Sequence, residues 1–174
     1  CGGLVVVGSY IQKSSDQTTQ ARALPGVAAV ELDVPRVLSP ATRQDEIGRV
    51  GAEVNRLLPQ HDVLVATSRA LVTGDTKDES LHIGAQVSAA LVDVVRSVTI
   101  RPRFIIAKGG VTSSDVATKG LDIKQARVMG QIAPAVPVWQ PSAGSRFPGV
   151  PYVVFPGNVG QADTLAQVIQ ALRQ

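Results

Sequence analysis

Short apolar runs alternate along the chain with longer segments whose apolar residues recur at helical spacing. The apolar runs are rich in β-branched residues and are bounded by Gly, Pro or polar residues, a pattern that predicts buried strands. These strands are expected at residues 3–8, 27–34, 62–68, 104–107 and 152–155, with one or two more within 126–138, where Pro134 and Pro137 interrupt the run.

The segments between these runs predict helices. Residues 42–58, 81–98 and 163–172 each place apolar side chains on one helical face, and Asp45 and Glu46 fall in the first turn of the first of them, where carboxylates suit the helix dipole. Residues 112–121 also resemble a helix, and residues 12–24 predict a turn followed by a helix that ends at Pro25.

The alternation of strands and helices indicates the fold class. Continuous apolar strands are expected where a sheet is covered on both faces, as parallel sheets are. We therefore predict an α/β fold with an open, mostly parallel layered sheet and helices on both faces, built as one domain over residues 1–174. Aromatic residues make up only 3% of the chain against 44% hydrophobic residues, so the core must consist mainly of Val, Ala, Leu and Ile.

Composition and charge exclude several classes of protein. No apolar run approaches the roughly 20 residues that span a bilayer, so we do not expect a membrane protein. A net charge of +3, scattered basic residues and few aromatic residues argue against nucleic-acid binding. A single cysteine excludes an internal disulfide framework and fits a reducing compartment, so we expect a cytoplasmic protein. Because the chain starts at Cys1 directly before a strand, we expect a piece of a longer protein.

Three apolar strands end in Gly followed by hydroxyl or amide residues and then a helix. The three strand ends are Gly8-Ser9, the run 108–114 and the run 156–160. Ligands bind outside the carboxyl ends of strands in open α/β sheets, and the unpaired N–H groups of a helix start favour anions. The pattern therefore predicts a phosphate ligand, although each Gly could also serve only its own turn.

Several neighbouring residues have two interpretations. Lys108 could contact a polyphosphate or be a solvated loop lysine. Thr112 and Ser113 could cap a helix, bind phosphate or do both. Asp115 is interpreted as a first-turn residue that favours the helix dipole, and not as a metal ligand.

Two common nucleotide motifs are absent from the sequence. There is no Gly-x-x-x-x-Gly-Lys-[Ser/Thr] loop, and the first strand–helix turn has no Gly-x-Gly-x-x-Gly. The second absence argues against a standard dinucleotide fold.

The glycine-rich strand ends carry a resemblance to a known family. The runs concerned are Lys108-Gly109-Gly110-Val111-Thr112-Ser113-Ser114-Asp115, then Ala126 to Ile132, Val136-Pro137-Val138-Trp139, and Val153-Val154-Phe155-Pro156-Gly157-Asn158-Val159-Gly160. Together they resemble the C-terminal nucleotide-binding domain of the four-carbon acid sugar kinase family. Gly8-Ser9 with Ser14 and Gln17 is similar to that family's first loop, which more often has Thr where Ser14 stands.

The resemblance implies a function and a set of site residues. Family members use ATP and Mg²⁺ to phosphorylate the terminal hydroxyl of a sugar acid such as threonate, erythronate or 3-oxo-tetronate. An N-terminal domain, absent here, binds the sugar acid and is expected to hold the catalytic base. The implied ATP or ADP contacts are Ser9, Gly109, Gly110, Val111, Thr112 and Gly157, to which the loop chemistry adds Ser113, Asn158 and Gly160; the Mg²⁺ ligand stays unassigned.

Two other functions remain open. The same loops could belong to a nucleotide sensor with no kinase partner domain. A nicotinamide-dependent oxidoreductase would need an acidic residue near the end of the second strand, where Glu31 and Asp33 stand. Self-association into a homo-oligomer is open as well, because apolar surface that the absent domain would cover is then exposed.

Overall fold

The computed structural model describes residues 1–8, 12–68 and 76–174. Within these ranges, seven strands form one sheet, in the order β2-β3-β1-β4-β7-β6-β5. The strands are β1 (Leu4–Val7), β2 (Val27–Leu32), β3 (Asp62–Thr67), β4 (Ile105–Lys108), β5 (Ala126–Ala133), β6 (Val136–Pro141) and β7 (Tyr152–Phe155). The first five strands in the sheet order are parallel, and β6 pairs antiparallel with both of its neighbours, β7 and the edge strand β5. The predicted open, mostly parallel sheet is confirmed.

Helices connect the strands on both faces of the sheet. They are α1 (Gln12–Arg22), α2 (Val34–Leu38), α3 (Arg43–Leu57), α4 (Lys77–Ser97), α5 (Gly110–Asp115) and α6 (Thr164–Leu172), and a π-helical turn, Val116–Gly120, continues α5. Among the described residues, no helix has both the length and the apolar character that crossing a bilayer requires.

The core consists of two apolar clusters, one on each face of the sheet. Alternate residues of β1 divide between them: Leu4 and Val6 pack with α3 and α4, and Val5 and Val7 pack with α1 and α6. All four β1 side chains are therefore buried. This two-sided burial is the physical reason why the parallel strands appear as continuous apolar runs and not as alternating ones.

Two helices differ from the sequence-based expectation. The short helix α2 was not predicted, although Asp33 caps it by accepting a hydrogen bond from Arg36 N at 3.0 Å and a proline stands in its first turn. Helix α4 begins at Lys77 and not at residue 81, because Thr76 and Glu79 form a reciprocal capping box there. Both starts carry local capping signals that apolar periodicity does not detect.

Candidate functional site

The candidate site lies where the strand connections diverge. From β1 the chain leads to β2 on one side of the sheet, and from β4 it leads to β5, β6 and β7 on the other, so the carboxyl ends of β1 and β4 flank a topological switch point. Gly8 N donates to Lys108 O at 3.1 Å, and Gly109 N donates to Phe155 O at 2.9 Å. The three glycine-containing strand ends therefore lie side by side at the carboxyl ends of the parallel strands.

Gly8 is required by close packing at this edge. A Cβ added to Gly8 would lie 2.0 Å from Thr112 Oγ1. Thr112 is buried, so its side chain has little room to move away. The end of β1 and the first turn of α5 can therefore approach each other only while Gly8 lacks a side chain.

The turn between β4 and α5 leaves backbone donors available. Gly109 has a φ of 118° and precedes the helix, a conformation that favours glycine. The first helical hydrogen bond runs from Ser113 N to Gly109 O at 2.9 Å, so the N–H groups of Gly110, Val111 and Thr112 point out of the helix end. A Cβ on Gly110 would meet nothing within 4 Å. A ligand can therefore approach this exposed stretch of backbone closely.

The hydroxyl of Ser113 is directed back into the protein. Ser113 is buried, and its Oγ donates to Gly110 O at 3.1 Å. Tyr152 donates its own hydroxyl to Ser113 O at 2.6 Å from the neighbouring strand β7. Burial raises the pKa of Tyr152, which keeps the phenol protonated and able to donate. Ser113 thus shapes the turn with its hydroxyl, while Tyr152, which the sequence analysis missed, fixes α5 against the sheet.

The loop between β7 and α6 is held by side chains of α1. Ser14 and Gln17 are buried, whereas Lys13 is exposed. The contacts run from Ser14 Oγ to Gly157 O (3.1 Å), from Gln17 Nε2 to Val159 O (2.9 Å) and Gln161 O (2.7 Å), and from Lys13 Nζ to Asn158 O (3.3 Å). The carbonyl oxygens of this loop therefore face α1, and α1 sets the position of the loop.

Gly160 gives this loop its bend. Its φ is 83°, and a Cβ there would lie 2.7 Å from the Thr164 Cβ. Both the backbone conformation and the neighbouring side chain require a glycine. Gly160, which the sequence analysis proposed as a ligand contact, thus has a structural reason of its own to be glycine.

Lys108 connects the two candidate loops. Its side chain is fully buried, with Nζ 3.3 Å from Pro156 O, 3.4 Å from Gly157 O and 4.2 Å from the centre of the Phe155 ring. Burial, reinforced by repulsion from Lys13, lowers the pKa of Lys108 to about 8. The interpretation as a solvated loop lysine is therefore wrong.

Asp115 is committed to structural contacts. It is the last residue of α5, so its placement in a helical first turn was wrong. Its two carboxylate oxygens lie 2.8 Å from Lys119 Nζ and 2.9 Å from Ser88 Oγ. The hydrogen bond from Lys119 lowers the pKa of this carboxyl, and the hydrogen bond from Ser88 contributes less to the same effect. In the described part of the chain, no group of three or more His, Cys, Asp or Glu could hold a metal ion.

The predicted nucleotide contacts occupy two turns at the same edge of the sheet. Gly109, Gly110, Val111, Thr112 and Ser113 form the β4–α5 turn, and Gly157, Asn158 and Gly160 belong to the β7–α6 loop. The predicted contact Ser9 lies outside the described residues. Asp33, considered as a ribose-binding residue of a dinucleotide fold, instead caps α2.

Two surface depressions differ in their relation to these turns. A groove of about 480 Å³ lies between α4 and α5, with the exposed Val111 on its rim; it is lined by Ala85, Ala89, Val92, Asp93, Arg96, Val111, Asp115, Lys119 and Asp122. A larger depression of about 710 Å³ lies between the β5–β6 hairpin and the loop before β7. Only the smaller one borders the β4–α5 turn.

Comparison with known proteins places the chain in a family. The family model described as nucleotide-binding C-terminal domain matches residues 4–165. No curated protein matches the chain.

Solved structures share the fold at low sequence identity. A DUF1537 domain of unknown function from Bordetella bronchiseptica, crystallised with citrate as a domain-swapped dimer, aligns with a TM-score of 0.77 at 20% identity over 99% of this chain. A proposed tRNA synthase from Salmonella typhimurium LT2 gives 0.74 at 21% identity over 95%, and a DUF1537 protein from Haemophilus influenzae gives 0.69 at 20% over 98%. This chain spans 41%, 40% and 40% of those three chains. On the match over residues 4–165, the chain belongs to the family of nucleotide-binding C-terminal domains.

Proposed function

We propose that this domain binds ATP as the nucleotide-binding half of a kinase that phosphorylates the terminal hydroxyl of a four-carbon sugar acid. In this proposal, an N-terminal domain binds the sugar acid and holds the catalytic base that activates its hydroxyl group. The isolated 174-residue chain is then expected to bind ATP and ADP but to turn over no sugar acid. Phosphorylation of D-threonate by the isolated chain would contradict this division of roles.

The observation that carries the proposal is the convergence of two glycine-rich turns at a switch point. The N–H groups of Gly110, Val111 and Thr112 leave the helix end unpaired by helical bonds. Such donors suit phosphate oxygens, and the open space at Gly110 allows their approach. Enzymes of phosphoryl transfer work mainly by positioning groups and neutralising charge, which is what backbone donors can do.

The remaining parts of the nucleotide have a place in the same region. The groove between α4 and α5 offers room for the adenine ring of ATP beside Val111. We expect Mg²⁺ to bind at the phosphates and leave its protein ligand unassigned, because both oxygens of Asp115, the carboxylate beside the turn among the described residues, already have partners. Bound ATP would supply the phosphoryl group, and this chain would hold it in place.

Gly110 allows a direct test of the phosphate site. Substitution Gly110→Leu fits the folded chain, since a Cβ there meets no atom within 4 Å, but its side chain would cover the exposed turn. Calorimetric titration with ADP should show saturable binding to the unmodified chain and a loss of at least tenfold in affinity for the variant. NAD, titrated in parallel, should not bind.

The matched control is Gly144→Leu. Gly144 is also exposed and also has open space around its Cβ position. It lies in the loop before β7, at the amino ends of the parallel strands and away from the candidate site. This variant should bind ADP as the unmodified chain does. Equal affinity in all three proteins would refute the phosphate site, and binding of NAD alone would favour the oxidoreductase. An ADP-binding full-length protein that lacks an acid-sugar domain would favour the sensor.

A further inference from the structure

A buried cation stands between the two candidate loops without an anionic partner in the described part of the chain. The Lys108 backbone leads directly into the β4–α5 turn, and its Nζ lies under the β7–α6 loop. The partners of the ammonium are two neutral carbonyl oxygens at 3.3 and 3.4 Å and an aromatic ring. These distances exceed the usual 2.7–3.2 Å of a good N–H···O bond.

This arrangement is costly for a residue with only a structural role. A buried charge is unfavourable unless it is paired, and neutral carbonyl oxygens compensate it only in part. An apolar residue of similar volume would fill the same space without that cost. The ammonium is therefore best explained by an anion that binds nearby and balances its charge.

We propose that Lys108 determines the charge specificity of the nucleotide site: its buried ammonium selects ligands that place phosphate at the β4–α5 turn. The inference rests on the proposed nucleotide function. Because Lys108 is fully buried, it acts through the low-dielectric protein around it and not by direct contact. It is a positioning and specificity residue, and the backbone N–H groups make the contacts.

The protonation state of Lys108 then controls the affinity for anions. The described charge that acts on Lys108 is that of Lys13 on α1, and its partners in the neighbouring strands, Val7 of β1 and Phe155 of β7, are uncharged. Asp115 on α5 is paired with Lys119 and Ser88. A bound anion stabilises the protonated form, so ligand binding should raise the pKa of Lys108 and take up protons near pH 8.

The experiment compares three ligands at two pH values. ADP, adenosine and tripolyphosphate are titrated calorimetrically into the unmodified chain at pH 7 and pH 9, each in two buffers of different ionisation heat. With a pKa of about 8, the affinity for ADP and for tripolyphosphate should fall about tenfold between these pH values, and the affinity for adenosine should not. The heats in the two buffers should differ for ADP, which reports proton uptake.

Variants separate charge from structure. Lys108→Met keeps the length of the side chain and removes the charge, so it should weaken ADP at least tenfold at pH 7, lose the pH dependence and bind adenosine unchanged. Lys108→Arg should restore affinity without a dependence on pH between 7 and 9. The control is Lys124→Met. Lys124 is exposed and lies just before β5, at the end of the sheet away from the candidate site, so this variant should behave like the unmodified chain.

The outcomes distinguish this inference from the proposed function. ADP binding with the same pH dependence in Lys108→Met overturns the role of Lys108 and leaves the nucleotide function intact. An equal loss of ADP and adenosine shows a merely structural lysine and overturns it too. Lys108-dependent binding of tripolyphosphate without binding of ADP supports the role of Lys108 and removes the nucleotide function. Binding of neither ADP nor tripolyphosphate overturns both.

Discussion

The two glycine-rich turns at the candidate site look alike in sequence and differ in what their glycines do. In the β4–α5 turn, a side chain on Gly110 would meet open space. In the β7–α6 loop, a side chain on Gly160 would collide with Thr164 and would also strain a φ of 83°. The fold alone requires glycine at the second position, whereas only an external ligand would require it at the first.

The difference also extends to the backbone groups that each turn presents. The β4–α5 turn directs N–H donors out of its helix end, while the β7–α6 loop directs its carbonyl oxygens toward Ser14, Gln17 and Lys108. We therefore assign phosphate binding to the first turn and support of that turn to the second. Four substitutions test this division, each by its effect on folding.

The largest effect is expected at Lys108, which joins the two turns. Its pKa is about 8 in the folded chain against an ordinary 10.5, so the unfolded chain binds the proton more tightly. Stability should therefore rise with pH between 8 and 10.5, by up to about 3 kcal/mol from this group. Because other groups titrate in the same window, the measurement is the difference in unfolding free energy between the unmodified chain and Lys108→Met. A difference that stays constant over this window would contradict the burial of a charged Lys108.

The next effect concerns the contact that joins the β4–α5 turn to β1. Substitution Gly8→Ala places a Cβ against Thr112 Oγ1 and should lower the unfolding free energy by about 1–3 kcal/mol. Adding Thr112→Ala removes that oxygen and should restore part of the loss. Denaturant titration of both variants measures this; an additive loss in the double variant would show that the two residues do not touch.

A smaller loss is expected from Gly160→Ala. A left-handed conformation costs a non-glycine residue about 1–2 kcal/mol, to which the contact with Thr164 adds. The variant should unfold at lower denaturant concentration while its ADP affinity changes little. A variant of unchanged stability would mean that Gly160 is kept for ligand binding after all.

The smallest effect on folding is expected from Gly110→Ala. The added methyl group meets nothing within 4 Å, so the unfolding free energy should change by less than about 0.5 kcal/mol. ADP binding should nevertheless weaken, because the methyl group stands where phosphate would approach. Thermal denaturation and calorimetry on the same sample measure both quantities. A large loss of stability would show that the fold requires glycine at position 110 as well, and would contradict the proposed difference between the two turns.

The sequence predicts the sheet well because parallel strands leave a strong signal. Runs such as Val5 to Val7 are buried on both faces, and this burial alone specifies them. The short helix α2 was missed, because five residues are too few to show helical periodicity. The sequence also predicts the glycine-rich turns at the strand ends. Their different roles depend on contacts with Thr112 and Thr164, which no local sequence pattern contains.

The burial of Lys108 was equally beyond local patterns. A lysine at a strand end is usually solvated, whereas this one is buried against the β7–α6 loop, whose Pro156 lies 48 residues away in sequence. The hydrogen bond from Tyr152 to Ser113 also joins distant segments. A tyrosine in a strand that is otherwise buried was the available signal, since its hydroxyl needs a partner.

The central claim is that nucleotide phosphate binds the β4–α5 turn, and amide chemical shifts on titration with ADP test it most directly. We predict the largest shifts at the amides of Gly110, Val111 and Thr112, with smaller shifts at Gly157. Shifts confined to Arg127, Gln140 and Gly149, around the larger depression at the β5–β6 hairpin, would contradict the account.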